Sequence, residues 1–159
     1  MSTKAHLKAR LDFVRRELDG VLDHVQDDFL GWAPLEGMRT VGGQIVEIGG
    51  TEIQTLARLK GLDDVSWEEA QVRMGDASSL AHLRRRLAEV RAETLELLDS
   101  LSEDDLAAPT GKFKGWHESI GLAEVPVAEI FRGTAQHEYY HIGQLVSYLW
   151  ARGDNPYKW

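Results

Sequence analysis

An all-α, up-down four-helix bundle is the fold this sequence predicts, and three observations predict it. Four segments repeat apolar residues at three- and four-residue steps, which is the period of one buried helix face. The stretches between them concentrate Gly and Pro, and no segment of any length alternates apolar and polar residues as a strand would. The 159 residues suit a single domain, 1–159, with a hydrophobic core.

The first helix carries Leu7, Leu11, Val14, Leu18, Val21 and Val25, with Ser2 or Thr3 as its cap. Gly31, Pro34 and Gly37 break the pattern. The second runs from about Thr40, a good N-cap, to Lys60, with Gly61 as its stop. Val41, Ile45, Ile48 and Leu56 form its core side. Gly42, Gly43, Gly49 and Gly50 lie inside it, each costing ~1 kcal/mol against Ala. Close helix packing and room for a ligand are the two reasons to keep them. In the connection that follows, Ser66-Trp67-Glu68-Glu69 has the form of a capping box for a short helical turn. The third long helix carries Leu80, Leu83, Leu87, Val90, Thr94, Leu97 and Leu101. Arg84, Arg85, Arg86, Glu89, Arg91 and Glu93 read as its solvated face. Asp104 to Pro126 is irregular, with room for a short hairpin-like excursion, and Val127 to about Trp150 forms the fourth helix, closed by Gly153.

Composition narrows the function. The net charge is −8 with no long basic run, which argues against nucleic acid or an anionic membrane as partner. Cysteine is absent, excluding disulfides, Cys-bound zinc and a protein thiol nucleophile. The first residues lead straight into an amphipathic helix, and no apolar run is long enough to span a bilayer, so a cytoplasmic protein is expected.

The chemistry concentrates near the end, at His137-Glu138-Tyr139-Tyr140-His141. Two imidazoles four residues apart stand one turn apart on one helix face, half of a metal site. Spacing alone serves a second reading equally, two surface or interface histidines. The helical face favours the first, because His141 shares a stripe with Phe131, Thr134, Leu145 and Tyr148. The string also matches the H-E-x-x-H of zinc proteases. However, Gln144 and Ser147 stand where the longer protease motif needs Gly and His, and no Glu or His follows Ile142. A third ligand therefore lies upstream.

These residues carry a family resemblance. The chain resembles the DinB/YfiT-like superfamily of bacterial four-helix-bundle metalloproteins over nearly its whole length. The resemblance rests on His137-x-x-x-His141-x-Gly143-Gln144-Leu145, Tyr148-Leu149 and Gly153-Asp154-Asn155-Pro156, and on Gly37-Met38-Arg39-Thr40-Val41-Gly42 preceded by Trp32 and Pro34. It implies a metal held by one histidine of the second helix and two of the fourth. The pair carries over to His137 and His141; the first position holds Glu47 instead. Carboxylate remains a competent ligand for Zn, Ni, Fe or Mn, although it makes the bound ion a weaker Lewis acid. An exposed Glu47 beside a degenerate site is the alternative.

The resemblance further implies a metal-dependent S-transferase that brings a low-molecular-weight thiol to a small electrophile, or a metal-dependent hydrolase. A non-catalytic dimeric binding protein is the reading from another class. A homodimer is expected from the resemblance and from the aromatic end, Trp150, Tyr157 and Trp159. Glu138 is a candidate general base, with a solvent-facing or supporting acid as the alternative. Gln144 and Tyr148 are candidates to line the cavity, and Trp116 and His117 to reach over it, although a surface loop explains the latter pair as well. His6, His24 and His82 belong to no constellation. Ligation needs neutral imidazoles, so metal binding is expected to weaken as pH falls through ~6.5.

Overall fold

Four long helices build the bundle, and each begins and ends where local chemistry requires. The computed structural model describes residues 2–62, 64–111, 117–118 and 121–159. Helix α1 is Thr3–Leu22, and the Ser2 hydroxyl accepts from the Ala5 amide to cap it. Helix α2 is Val41–Leu59, capped by Thr40 accepting from the Gly43 amide and followed by Gly61 at φ 70°. A shorter helix, α3 (Trp67–Met74), starts where Ser66 accepts from the Glu69 amide. Helix α4 is Leu80–Ser100 with Ser79 as N-cap, and α6 is Val127–Ala151. Between these two, α5 (Glu103–Ala107) carries a full capping box from Ser102 and Asp105 that the sequence reading left irregular. The hairpin-like excursion is present as β1 (Pro109–Thr110) paired antiparallel with β2 (Val125–Pro126).

Contacts between helices fix their directions. Lys8 meets Asp99 at one end and Arg84 meets Asp23 at the other, so α1 and α4 are antiparallel. Gln44 meets Tyr148 and Glu47 lies by His137, so α2 runs against α6; Glu52 meets Arg91 and Lys60 meets Glu93, so α2 runs alongside α4. The order is therefore up, down, down, up. The parallel α2–α4 pair requires a connection that crosses from one end of the bundle to the other, and α3 lies within it.

Gly42, Gly49 and Gly50 are explained by that crossing. A Cβ on Gly49 would stand 2.3 Å from Met74 Sδ, and one on Gly50 would stand 2.7 Å from the Trp67 ring. A Cβ on Gly42 would meet Ala77 at 3.0 Å. The missing side chains let α3 and its connection press onto α2, so close packing is the reason and no ligand space opens there. The stripes read from the sequence form one continuous apolar core, including Leu11, Leu18, Ile45, Leu87, Phe131 and Leu145. Burying each large aliphatic side chain contributes roughly 1.5–3 kcal/mol.

Arg91 departs from the solvated face expected of α4. It is only 5% exposed and sits in the middle of the bundle. Arg91 Nε donates to Glu52 Oε1 at 2.8 Å, and Arg91 Nη2 also donates to Glu138. Arg15 Nε donates to Glu138 Oε1 at 2.7 Å, and Arg15 Nη2 lies 3.3 Å from Glu52 Oε2. Thr94 Oγ1 adds a hydrogen bond to Glu52. Each long helix thus contributes one charge to a neutral, buried quartet. Burial works against ionisation of Glu52, but Arg91, Arg15 and Thr94 outweigh it and hold its carboxyl below the usual range.

Candidate metal centre

Glu47, His137 and His141 come together between α2 and α6. Their ligand atoms all lie within 4.8 Å of one another. The antiparallel crossing places the first turns of α2 against the middle turns of α6, where these three side chains meet. His141 is 4% exposed, and the Glu47 side chain is 16% exposed.

A chain of hydrogen bonds orients the His141 ring. Tyr148 donates its hydroxyl proton to the Arg39 carbonyl at 3.1 Å, so its oxygen accepts from Gln44 Nε2, also at 3.1 Å. That orients the Gln44 amide with Oε1 toward His141 Nδ1, 2.6 Å away. An amide oxygen only accepts, so Nδ1 carries the proton and Nε2 keeps a bare lone pair. This Nε2 points at His137 Nε2, 3.1 Å distant. A tetrahedral ion with bonds of about 2.0–2.1 Å holds two nitrogens about 3.3 Å apart, a separation close to the 3.1 Å between these two.

The acid fits as well. Glu47 Oε2 is buried without a hydrogen bond, although Arg39 Nη2 approaches it at 2.9 Å. The approach is an ion pair lacking hydrogen-bond alignment, which leaves lone pairs on that oxygen. A buried carboxylate oxygen without a hydrogen-bonding partner, facing two imidazole nitrogens, is the donor set a divalent cation satisfies.

Both histidines are held neutral. Burial is the main cause for His137, joined by the nearby His141 and Arg39 charges; Glu52 opposes them, and the result is about 4. Burial also lowers His141, against opposing contributions from Gln144 and Glu47. The protonation state that ligation needs is therefore favoured by the fold at both rings, for His137 down to about pH 4.

The remaining candidates fall into other roles. Glu138 is 1% exposed and bound to Arg15 and Arg91, so it neither faces solvent nor stands free to act as a base. Gln44 supports His141 directly and Tyr148 supports it through Gln44, a residue that the sequence motifs do not single out. Gln144 donates to the Tyr140 hydroxyl at 3.2 Å. His117 is fully buried rather than on a surface loop, with neither ring nitrogen hydrogen-bonded among the described residues. Trp116 and Gly115 lie outside the described residues. His24 stacks on Trp159 and pairs with Asp154 at 2.9 Å, tying the C-terminal turn to α1.

A cleft of about 360 Å³ opens beside His137, lined by Thr51, Thr55, Arg58, Ile130, Thr134 and Tyr140 among others. It leaves the centre reachable by a small molecule. No helix among the described residues is long and apolar enough to cross a membrane.

Comparison with known proteins agrees with this architecture. No curated protein and no solved structure matches the chain significantly. The profile of the DinB superfamily matches residues 10–145, a span that contains Glu47, His137 and His141 and stops short of Tyr148. With most of its length inside that match and an all-α bundle around a His/Glu cluster, the chain belongs to the DinB superfamily.

Proposed function

We propose that the chain binds one divalent metal ion through Glu47, His137 and His141 and uses it to transfer a low-molecular-weight thiol to a small electrophile. The observation that carries this reading is the convergence of three ligand atoms within 4.8 Å at the edge of an open cleft. Three protein ligands leave at least one coordination position for an exogenous group. A divalent ion such as Zn, Ni, Fe or Mn, when bound, lowers the pKa of a thiol so that it is held as the reactive thiolate.

The protein's own residues do the rest. Gln44 and Tyr148 keep the His141 lone pair aimed at the site, and burial keeps both rings unprotonated. The apolar wall at Ile130 shields an electrophile from water, and Thr51, Thr55 and Tyr140 offer hydroxyls along the cleft. Because the chain contains no cysteine, the thiol must arrive as a cosubstrate in this scheme. A second copy of the chain is the macromolecular partner we propose, on the exposed Trp150 and Tyr157; light scattering that returns a monomer at high concentration contradicts it.

The test is conjugation by untagged protein reconstituted with each metal. Glutathione, mycothiol or bacillithiol is supplied with an activated alkyl or aryl halide, and the adduct is followed by mass spectrometry. The proposal expects metal-dependent conjugation with at least one thiol, lost in His137→Ala. Ester hydrolysis that needs metal but no thiol would move the assignment to a hydrolase.

A further inference from the structure

We propose that Arg39 is the receptor for a carboxylate on the small-molecule substrate, and that metal binding recruits that carboxylate to it. The inference rests on the metal reading above and names the substrate class for the same site.

Arg39 immediately precedes the α2 cap and stands beside Glu47, its side chain 50% exposed. Its nearest approach to Glu47 is Nη2 to Oε2 at 2.9 Å, without an aligned hydrogen bond. A guanidinium has five N–H donors in a planar fork that matches a carboxylate, so most of its donors remain available. The guanidinium carbon lies 5.9 Å from the centre of the Trp67 ring, which gives the fork a flat wall to rest against. The backbone of Arg39 is held by the bond from Tyr148 to its carbonyl.

Charge balance supplies the driving force. In the metal-free site Arg39 and Glu47 cancel, and both imidazoles are neutral. A divalent ion adds two positive charges beside the guanidinium, and one carboxylate cannot neutralise three. The loaded centre therefore carries an excess positive charge in a half-buried site, which an incoming anion relieves. A single fork beside one metal suits a monoanionic carboxylate, of which one oxygen can face the ion while the other meets Arg39. By linkage, an anion that prefers the metal-loaded site must tighten metal binding equally.

The experiment measures that coupling by calorimetric titration of zinc into the untagged, metal-free protein, in chloride buffer alone, with propionate, and with the neutral isostere propionamide. In the parent, propionate should tighten zinc by roughly 5- to 100-fold and propionamide should have no effect. Arg39→Ala should bind zinc more tightly than the parent in chloride alone, because a like charge is gone, and should lose at least fivefold of the propionate effect. Arg39→Lys, which keeps the charge without the fork, should fall between them. Equal propionate effects in the parent and Arg39→Ala, or none in the parent, overturn the inference while leaving the metal assignment standing. Undiminished zinc binding by His137→Ala removes the metal assignment and this inference together.

Discussion

His141 donates from Nδ1 to the side-chain oxygen of Gln44 across 2.6 Å, and this one bond decides which nitrogen of the ring faces the site. The partner sits 97 residues earlier, on the antiparallel helix. Replacing Gln44 with Leu keeps the volume but removes the acceptor, so the ring loses both its tautomer preference and its hold. Metal affinity should fall by roughly 10–100-fold, the usual cost of losing such a support. Calorimetry against a helix content unchanged by circular dichroism checks this; unchanged affinity would show that the bond does not direct the ring.

The buried quartet makes a stability prediction. Truncating Arg91 to Ala leaves Glu52 and Glu138 in the bundle interior with only Arg15 to balance them. Breaking a buried pair this way costs about 3–5 kcal/mol, against about 1 kcal/mol or less for Lys8→Ala at the surface pair with Asp99. Urea denaturation of the two variants should show the contrast.

Two glycine substitutions should have opposite signs. Gly143→Ala, in α6, adds a Cβ with nothing within 4 Å and should stabilise by about 0.5–1 kcal/mol. Gly50→Ala drives a Cβ into the Trp67 ring and should destabilise by about 1–3 kcal/mol, overriding the helix-propensity gain. Thermal melts of both variants measure the difference.

The pH response follows from His137. Its folded value is lowered from 6.5 to about 4, so between these values the unfolded chain binds more protons than the folded one. Stability of the metal-free protein should therefore fall as pH falls across this window, and His137→Gln should lose less. Metal binding should likewise survive below pH 6, in contrast to the loss near 6.5 expected from an unperturbed imidazole. A binding midpoint at 6.5 would mean that the rings are not shielded.

Much of this architecture can be read from the chain because it is local. Caps at Ser2, Thr40 and Ser66 and the apolar stripes are written within a few residues, and the structure realises them. What escaped depends on distant partners. Arg91 lies in a run of charges, and its carboxylates are 39 and 47 residues away. The signal was nevertheless present. Arg15, Glu52, Arg91 and Glu138 each occupy a stripe position, four residues after Leu11, Ile48, Leu87 and Thr134 respectively. Charges on the buried stripes of four helices must meet one another, and this is the rule that separates Arg91 from its solvated neighbours. Gln44, four residues before Ile48, follows the same rule. Glu47 was placed by family pattern rather than period, and helix α5 was overlooked although Ser102 and Asp105 spell its capping box.

The central claim, a metal held by Glu47, His137 and His141, is tested most directly by metal content and affinity in untagged protein. Elemental analysis and calorimetry would be run on the parent, His137→Ala, His141→Ala, Glu47→Ala and Glu47→His. The account predicts one ion per chain in the parent, none retained by either histidine variant, and helix content largely preserved in both. Glu47→His should keep the ion, and Glu47→Ala should lose more affinity than the roughly 10–100-fold expected for a supporting residue. Parent-like affinity in Glu47→Ala, or stoichiometric metal in His137→Ala, would contradict it.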